Sequence, residues 1–402
     1  MLISSLSRFC LNTQQYSTKL CTNTTLILKS HQLRGCRLLY TRANLGLEKF
    51  ESYRKRTHIQ FSNGVDTFKE NMSKSLINPE KTIVFMEDLK NMIYLTETES
   101  DTELLLDMAK KYHQQHRGVR FGSFTFGPEM MRLFHWLNQP DAAKKALEMK
   151  EMEGFFDQMV SYQVAMNLLY VNSQYNEALE VFEQVQCRRI GGVRYPKNCF
   201  TLALACCYKL DTSESLDSAL QLLESAQEYG LFVNRRLLCL VAGLCVNQGR
   251  PNSALEILAR SNTTTHIAVT SLKVMALSQL DRTEEFVGIL RSFTQMDLPS
   301  RTTNTQRILH QAIVSAEEAM ARSEKKELIA EFQRILKSLQ EHDQISQETI
   351  DAVITRPIDQ YEDRRPGQKE KARLAASFSG LQRQSSRLHH QHLPRRGLMD
   401  ME

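Results

Sequence analysis

Val160-Ser161-Tyr162 opens a run that reads as helix to Tyr170, breaks at Asn172-Ser173-Gln174, and resumes as Tyr175-Asn176-Glu177-Ala178-Leu179-Glu180-Val181-Phe182. In the second half Ala178, Leu179, Phe182 and Val185 recur at helical spacing, the pattern of a helix with one buried stripe. Three polar turn formers separate the halves, so the stretch predicts two antiparallel helices joined by a short turn. The construction returns at Leu237-Leu238-Cys239, Asn247-Gln248-Gly249-Arg250 and Asn252-Ser253-Ala254-Leu255-Glu256-Ile257-Leu258. There Gly249 ends one helix and Pro251 begins the next, as their backbone preferences dictate.

Working outward, Ala143, Ala178, Ala219 and Ala254 mark four such units between Phe124 and Arg260. The interval is 35 residues from Ala143 to Ala178 and again from Ala219 to Ala254; the middle interval is 41, the excess lying near Ile190–Arg194 and Asp211–Leu216. Each alanine falls early in a second helix, where only a small side chain lets two helices approach closely. A fixed period of this length means stacked supersecondary units that share one continuous core.

These residues resemble the pentatricopeptide repeat family, whose unit is two helices in 35 residues. The resemblance rests on Val160-Ser161-Tyr162 at an opening, on Glu177-Ala178-Leu179 and Ser253-Ala254-Leu255 in second helices, on Gly154 and Gly230 before inter-repeat turns, and on Pro196 and Asn234 near repeat ends. Tetratricopeptide repeats are the nearest competitor, but their first-helix signature is missing and the one tryptophan, Trp136, sits late in a helix. The expected fold is all-α: a right-handed helical-hairpin solenoid of the pentatricopeptide or tetratricopeptide kind, with a helical C-terminal cap.

Residues 1–47 contain no Asp or Glu, while Arg8, Lys19, Lys29, Arg34, Arg37 and Arg42 lie among Ser, Thr and Leu. A basic, hydroxyl-rich, acid-free start reads as a mitochondrial presequence, with cleavage expected between Cys36 and Asn44. The organisation that follows is an N-terminal linker and helical entry at 48–81 and a degenerate hairpin at 82–123. Four repeats occupy 124–260, a second degenerate hairpin 261–298, a helical cap 299–356 and a disordered basic tail 357–402.

The resemblance implies a matrix protein that binds single-stranded mitochondrial RNA and assists transcript maturation, processing or stability, with RNA-processing proteins as further partners and an indirect effect on the respiratory chain. In that family one side chain early in the first helix and the last residue of the repeat read a base together. Carried over, the readers are Gln163 with Lys197, and Thr201 with Asn234; Pro128 and Cys239 at the weaker units are poor readers. Arg188, Arg189 and Arg194 beside Lys197, and Arg235 with Arg236 at a comparable joint, suggest a basic edge for phosphates. Tyr195 could stack on a base, whereas Tyr162 and Phe200 fall at core spacing.

Net charge is only +5, from 51 basic and 46 acidic residues, so attraction to a polyanion depends on where the cations sit. The longest apolar runs, such as Leu237–Val246, stop well short of the roughly 20 residues a membrane span needs. Nine cysteines form no CxxC pair and read as small buried hydrophobes in a reducing compartment rather than metal ligands. His113 and His116 share a helix face without a partner at metal spacing, and phosphate loops and nucleophile elbows are missing. No enzyme, cofactor or metal is expected. The rival reading is a protein-binding helical scaffold or assembly factor, since half of the repeats lack usable base readers.

Overall fold

The computed structural model describes residues 39–77, 83–115, 124–294 and 307–357. Among them α1 (Arg42–Leu45) leads into a chain of helical pairs. The pairs are α2/α3 (Leu47–Gln60, Val65–Ile77), α4/α5 (Met86–Leu95, Glu99–Gln115), α6/α7 (Phe126–Leu137, Pro140–Glu148) and α8/α9 (Met159–Val171, Tyr175–Arg188). They continue as α10/α11 (Lys197–Leu210, Ser213–Glu228), α12/α13 (Arg235–Asn247, Pro251–Ala259), α14/α15 (Ile267–Gln279, Thr283–Thr294) and α16/α17 (His310–Arg322, Lys326–Glu341), before a last short helix α18 (Ile350–Ile354). The fold is an all-α helical-repeat solenoid, and the described residues belong to one compact unit ending at Pro357.

Local chemistry starts and stops each helix. Pro140 and Pro251 occupy first turns, where a missing N–H costs nothing. Thr212 opens α11 with a reciprocal cap: its hydroxyl accepts from the Ser215 amide while the Ser215 hydroxyl accepts from its own. Asn138, Ser173, Asp211 and Asp281 hold left-handed backbone at the turns within hairpins. These turns also tie one repeat to the next: Asn172 Nδ2 donates to Asn138 Oδ1 at 2.8 Å, and Gln248 Nε2 donates to the Asp211 carbonyl at 2.7 Å. The repeat length is thus written twice, once in the core and once in a polar ladder along the turn edge.

In the core, Ala143, Ala178, Ala219 and Ala254 are fully buried, each where a second helix meets its neighbours. First helices pack on first helices along the series, and from α7 to α15 each second helix wedges between two of them. Gly127 shows how close this becomes: a Cβ there would stand 2.3 Å from Gln158 Oε1 and 2.8 Å from Ser161 Oγ. The extra residues between the second and third repeats are absorbed by a short 3-10 turn at Ile190–Gly192 next to left-handed Arg189, which leaves the stacking of α8 on α10 intact.

Three stretches flank the four repeats. The expected helical entry at 48–81 carries α2, which begins at Leu47 and buries Leu47 and Phe50, and α3. The expected helical cap is present as α16 and α17: Ala312, Ile313, Ala316, Phe332, Ile335 and Leu339 extend the core begun by α14 and α15. Its ends are joined by a two-residue parallel bridge pairing Ile308 with Ile345. At the other end, residues 1–38 of the expected presequence and the tail from 358 lie outside the described residues. Residues 39–47, which the expected presequence includes, are folded, with Leu39, Tyr40, Leu45 and Leu47 buried.

Overpacking the alanine seam tests this picture. Ala178→Leu or Ala254→Leu should cost about 1–3 kcal/mol, because the added atoms have no void to enter; urea denaturation of each variant against the parent chain measures it.

Candidate functional site

Burial separates the two helix layers. In α8 every residue from Ser161 to Val171 is buried, in α10 from Cys199 to Tyr208, and in α12 from Leu237 to Val246. A helix buried all round needs neighbours on four sides, and adjacent hairpins supply three. The chain's own ends supply the fourth. Residues 39–47 cross the first-helix layer on one half: the Arg42 guanidinium lies 5.6 Å over the Trp136 ring, Arg132 Nε donates to the Leu45 carbonyl at 2.8 Å, and the Tyr40 hydroxyl donates to the Asn198 carbonyl at 3.2 Å. Residues 350–356 cross the other half: Asp351 Oδ1 accepts from Lys209 Nζ at 2.6 Å, the Arg356 carbonyl accepts from Arg236 Nη1 at 2.6 Å, and α18 packs on α12 and α14. Gly243 permits this seating, since a Cβ there would come within 3.2 Å of Ile354 Cδ1 and 3.1 Å of the Tyr208 ring.

The expected base readers fall beneath or beside these straps. Gln163 is 8% exposed and its Oε1 accepts from Asn198 Nδ2 at 3.1 Å. Thr201 is 2% exposed and donates to the Lys197 carbonyl one turn back. Asn234 spends its side-chain oxygen capping α12, accepting from the Leu237 amide at 3.1 Å. Lys197 is exposed at the first turn of α10. Reading a base requires free donors and acceptors at an open surface; in this conformation both Gln163 and Thr201 are buried. Other polar residues of the first helices are likewise used between repeats: Asn167 Nδ2 lies 3.1 Å from His135 Nε2, and Ser271 Oγ accepts from the Leu309 amide.

The basic residues lie along one edge, where second helices end and first helices begin. Arg188 is partly committed, donating to the Tyr162 hydroxyl at 3.0 Å with Asp157 Oδ1 at 3.7 Å. Arg189 is exposed in left-handed backbone. Arg194 Nη1 donates to the Tyr229 hydroxyl at 2.6 Å, and its guanidinium stands 4.9 Å over that ring and 5.7 Å over Tyr195. Tyr229 is 57% exposed, so one face of this cation–ring pair is open to solvent. Arg235 and Arg236 open α12, and Arg236 is tied to the C-terminal strap.

The sequence also carried an overlooked signal for this edge. The first turns of α8, α10, α12 and α14 contain no acidic residue, whereas those of α7, α9, α11 and α15 contain Asp141, Glu177, Glu214 and Glu284 with Glu285. A helix N-terminus is electropositive and normally draws a carboxylate. From α8 to α14 the first-helix starts therefore carry no first-turn carboxylate beside Arg189, Arg194, Lys197 and Arg235, whereas on the opposite edge the second helices from α7 to α15 start with one, except α13.

Side-chain chemistry elsewhere is muted. Burial pushes the Cys199, Cys207 and Cys239 thiols up to about 12, and Cys187 is exposed. Burial, with Arg235, Arg356 and Arg236 close by, drives His266 down to about 4, and burial does the same to His135. Both are neutral when folded but bind protons below about 6.5 when unfolded. Stability should therefore be complete above that pH and fall as pH drops from about 6.5 towards 4. His266 also caps α14, its Nδ1 accepting from the Ala268 amide. His266→Asn keeps a capping acceptor and should flatten part of the fall in melting temperature between pH 7.5 and 5; an equal fall in both chains would refute the assignment.

No protein-family model matches this chain. Among curated proteins it is similar to pentatricopeptide repeat-containing protein 2, mitochondrial, of Mus musculus, at 28% identity over 280 residues, 68% of this chain and 71% of the relative. The protein of the same name from Homo sapiens is 24% identical over 323 residues, covering 79% and 80%. That from Xenopus laevis is 27% identical over 330 residues, covering 81% and 82%. With the hairpin geometry above, this consistent likeness across most of the chain makes it a distant relative of the vertebrate pentatricopeptide repeat-containing protein 2.

Proposed function

We propose that the chain is a mitochondrial single-stranded RNA-binding protein that assists maturation, processing or stability of organellar transcripts, holding the strand along its basic edge rather than reading bases in the first-helix layer. The observation that carries this reading is Arg194 lying over the exposed Tyr229 ring, in line with Arg189, Lys197 and Arg235 and with four electropositive helix starts. Phosphates meet guanidinium and ammonium groups there, and a base can stack on Tyr229, contacts that are tolerant of sequence. The names of the relatives place them in mitochondria, and the acid-free N-terminal stretch of this chain agrees with that address. The matrix is the compartment where such transcripts occur.

Binding of a fluorescent oligouridine to the full-length chain tests it. Affinity should fall with salt, and the combined Arg189→Glu, Arg194→Glu and Arg235→Glu substitutions should make the log–log salt slope shallower by about two, at roughly 0.7 per lost phosphate contact on a single strand. Tyr229→Ala should weaken binding with little change in slope. Gln163→Ala should leave base preference untouched, because that side chain is sealed in.

A second reading has its own support. The first-helix layer already accommodates polypeptide, the chain's residues 39–47 and 350–356, so a protein-binding scaffold or assembly factor could exchange these straps for a partner's segment. An RNA affinity that is absent, or unmoved by the three charge reversals, favours it.

A further inference from the structure

A cleft of about 620 Å³ opens between α2, α4 and the segment leading into α6, away from the repeat edge and bordered at one end by Gly46 of the N-terminal strap. Its walls are fixed from behind: Arg54 Nη1 donates to the Tyr94 carbonyl at 2.9 Å, joining α2 to α4, and Phe50 and Tyr53 pack against the Tyr94 ring at 5.4 and 6.1 Å. With Arg54 held inward, Lys49, Tyr53, Arg56 and Gln60 line the opening at helical spacing. Across from them stand Lys90 and Asn91 of α4, with Phe124 beyond.

Charge in the cleft is not balanced. Glu87 and Glu129 also line it, but Glu87 faces Lys90 at 3.4 Å and Glu129 accepts from Arg132 at 2.6 Å. Among the described residues, Lys49 and Arg56 have no carboxylate partner; the Lys49 ammonium rests 5.8 Å over the Tyr53 ring. The Lys90 ammonium lies 5.5 Å over the Phe124 ring. Tyr53 is 42% exposed, a large ring held at the surface with an unpaired cation on it. The first 47 residues contain no carboxylate, so the chain's own start offers nothing to neutralise these cations.

We propose that this cleft is a binding site for a nucleoside phosphate, either a free nucleotide or the phosphorylated end of an RNA strand. Lys49 and Arg56 would take the phosphate, the Tyr53 and Phe124 rings would flank the base, and the Gln60 and Asn91 amides would meet its edge. An acidic side chain would satisfy the cations but leave both rings and both amides idle, whereas a nucleotide uses all three. The volume suits it, since small-ligand sites run from about 300 to 1,000 Å³. The site shares no residue with the repeat edge and does not depend on the function assigned there.

Calorimetric titration of the full-length chain with adenosine 5′-monophosphate is the test, with adenosine and inorganic phosphate titrated separately. Saturable binding of the monophosphate, tighter than of either fragment, is expected. Lys49→Glu or Arg56→Glu, both at exposed positions, should each weaken it by about tenfold, the value of one charge-assisted hydrogen bond. Tyr53→Ala should weaken it without altering the melting temperature appreciably. Competition between the monophosphate and 5′-phosphorylated or 5′-hydroxyl oligouridine separates the sources: preferential displacement by the phosphorylated strand identifies a strand end, and equal failure of both strands identifies a free nucleotide. No saturable binding, or equal affinity in the parent chain and both charge-reversal variants, overturns the proposal. Because these variants leave Arg189, Arg194 and Arg235 in place, loss of binding here with salt-dependent RNA binding retained separates the two sites.

Discussion

Complete burial of the first-helix layer is the constraint on which the rest of this structure depends. In an open array of hairpins each first helix would keep one face in solvent and would need polar residues along it. Here Leu237–Val246 and Cys199–Tyr208 have almost none, and the face is closed by Leu39, Tyr40 and Leu45 from one end of the chain and by Ile350, Val353 and Ile354 from the other. Several polar side chains in that layer are paired across repeats, as with Gln163 and Asn198, since an unpaired amide there carries a desolvation cost of about 1–3 kcal/mol. What remains for solvent and ligands is the two edges and the outer helices.

That closure redistributes where function can reside. The turn edge is occupied by its own ladder of amides and carboxylates, among them Asn138, Asn172, Asp211 and Gln248. The opposite edge is electropositive because the starts of α8, α10, α12 and α14 lack the acids that begin most second helices. A helix dipole contributes only some tenths of a kcal/mol at an exposed end. Four of them in register beside three arginines and a lysine still give a polyanion a preferred side.

The hairpins were legible from the sequence because their signals are local. Ala143, Ala178, Ala219 and Ala254, the turns at Asn172-Ser173-Gln174 and Asn247-Gln248-Gly249, and Pro251 at a first turn act within one or two helices, and the structure places each in that role. The straps were not legible, because nothing near Leu39 or Ile354 in sequence announces contact with helices more than a hundred residues away; Tyr40 meets Asn198, and Asp351 meets Lys209. Gln163 and Thr201 were assigned to reading positions by repeat register, and both side chains are buried. Register does not say whether the surface at that position is open. The pair α2/α3 escaped notice because α3 contributes no buried residue and so shows only a weak stripe.

The straps alter the thermodynamic character of the array. Hairpin solenoids ordinarily behave as one-dimensional chains, each unit stabilised by its neighbours and able to fray from either terminus. Residues 39–47 fasten α6, α8 and α10 together and residues 350–356 fasten α10, α12 and α14, so α10 is gripped by both. Fraying at one end must then break contacts deep in the middle, which raises cooperativity towards that of a single domain. A ribosome or import channel delivering this chain from its N-terminus releases the closing segment last, so the central helices stay partly uncovered until nearly all of the ordered polypeptide has emerged.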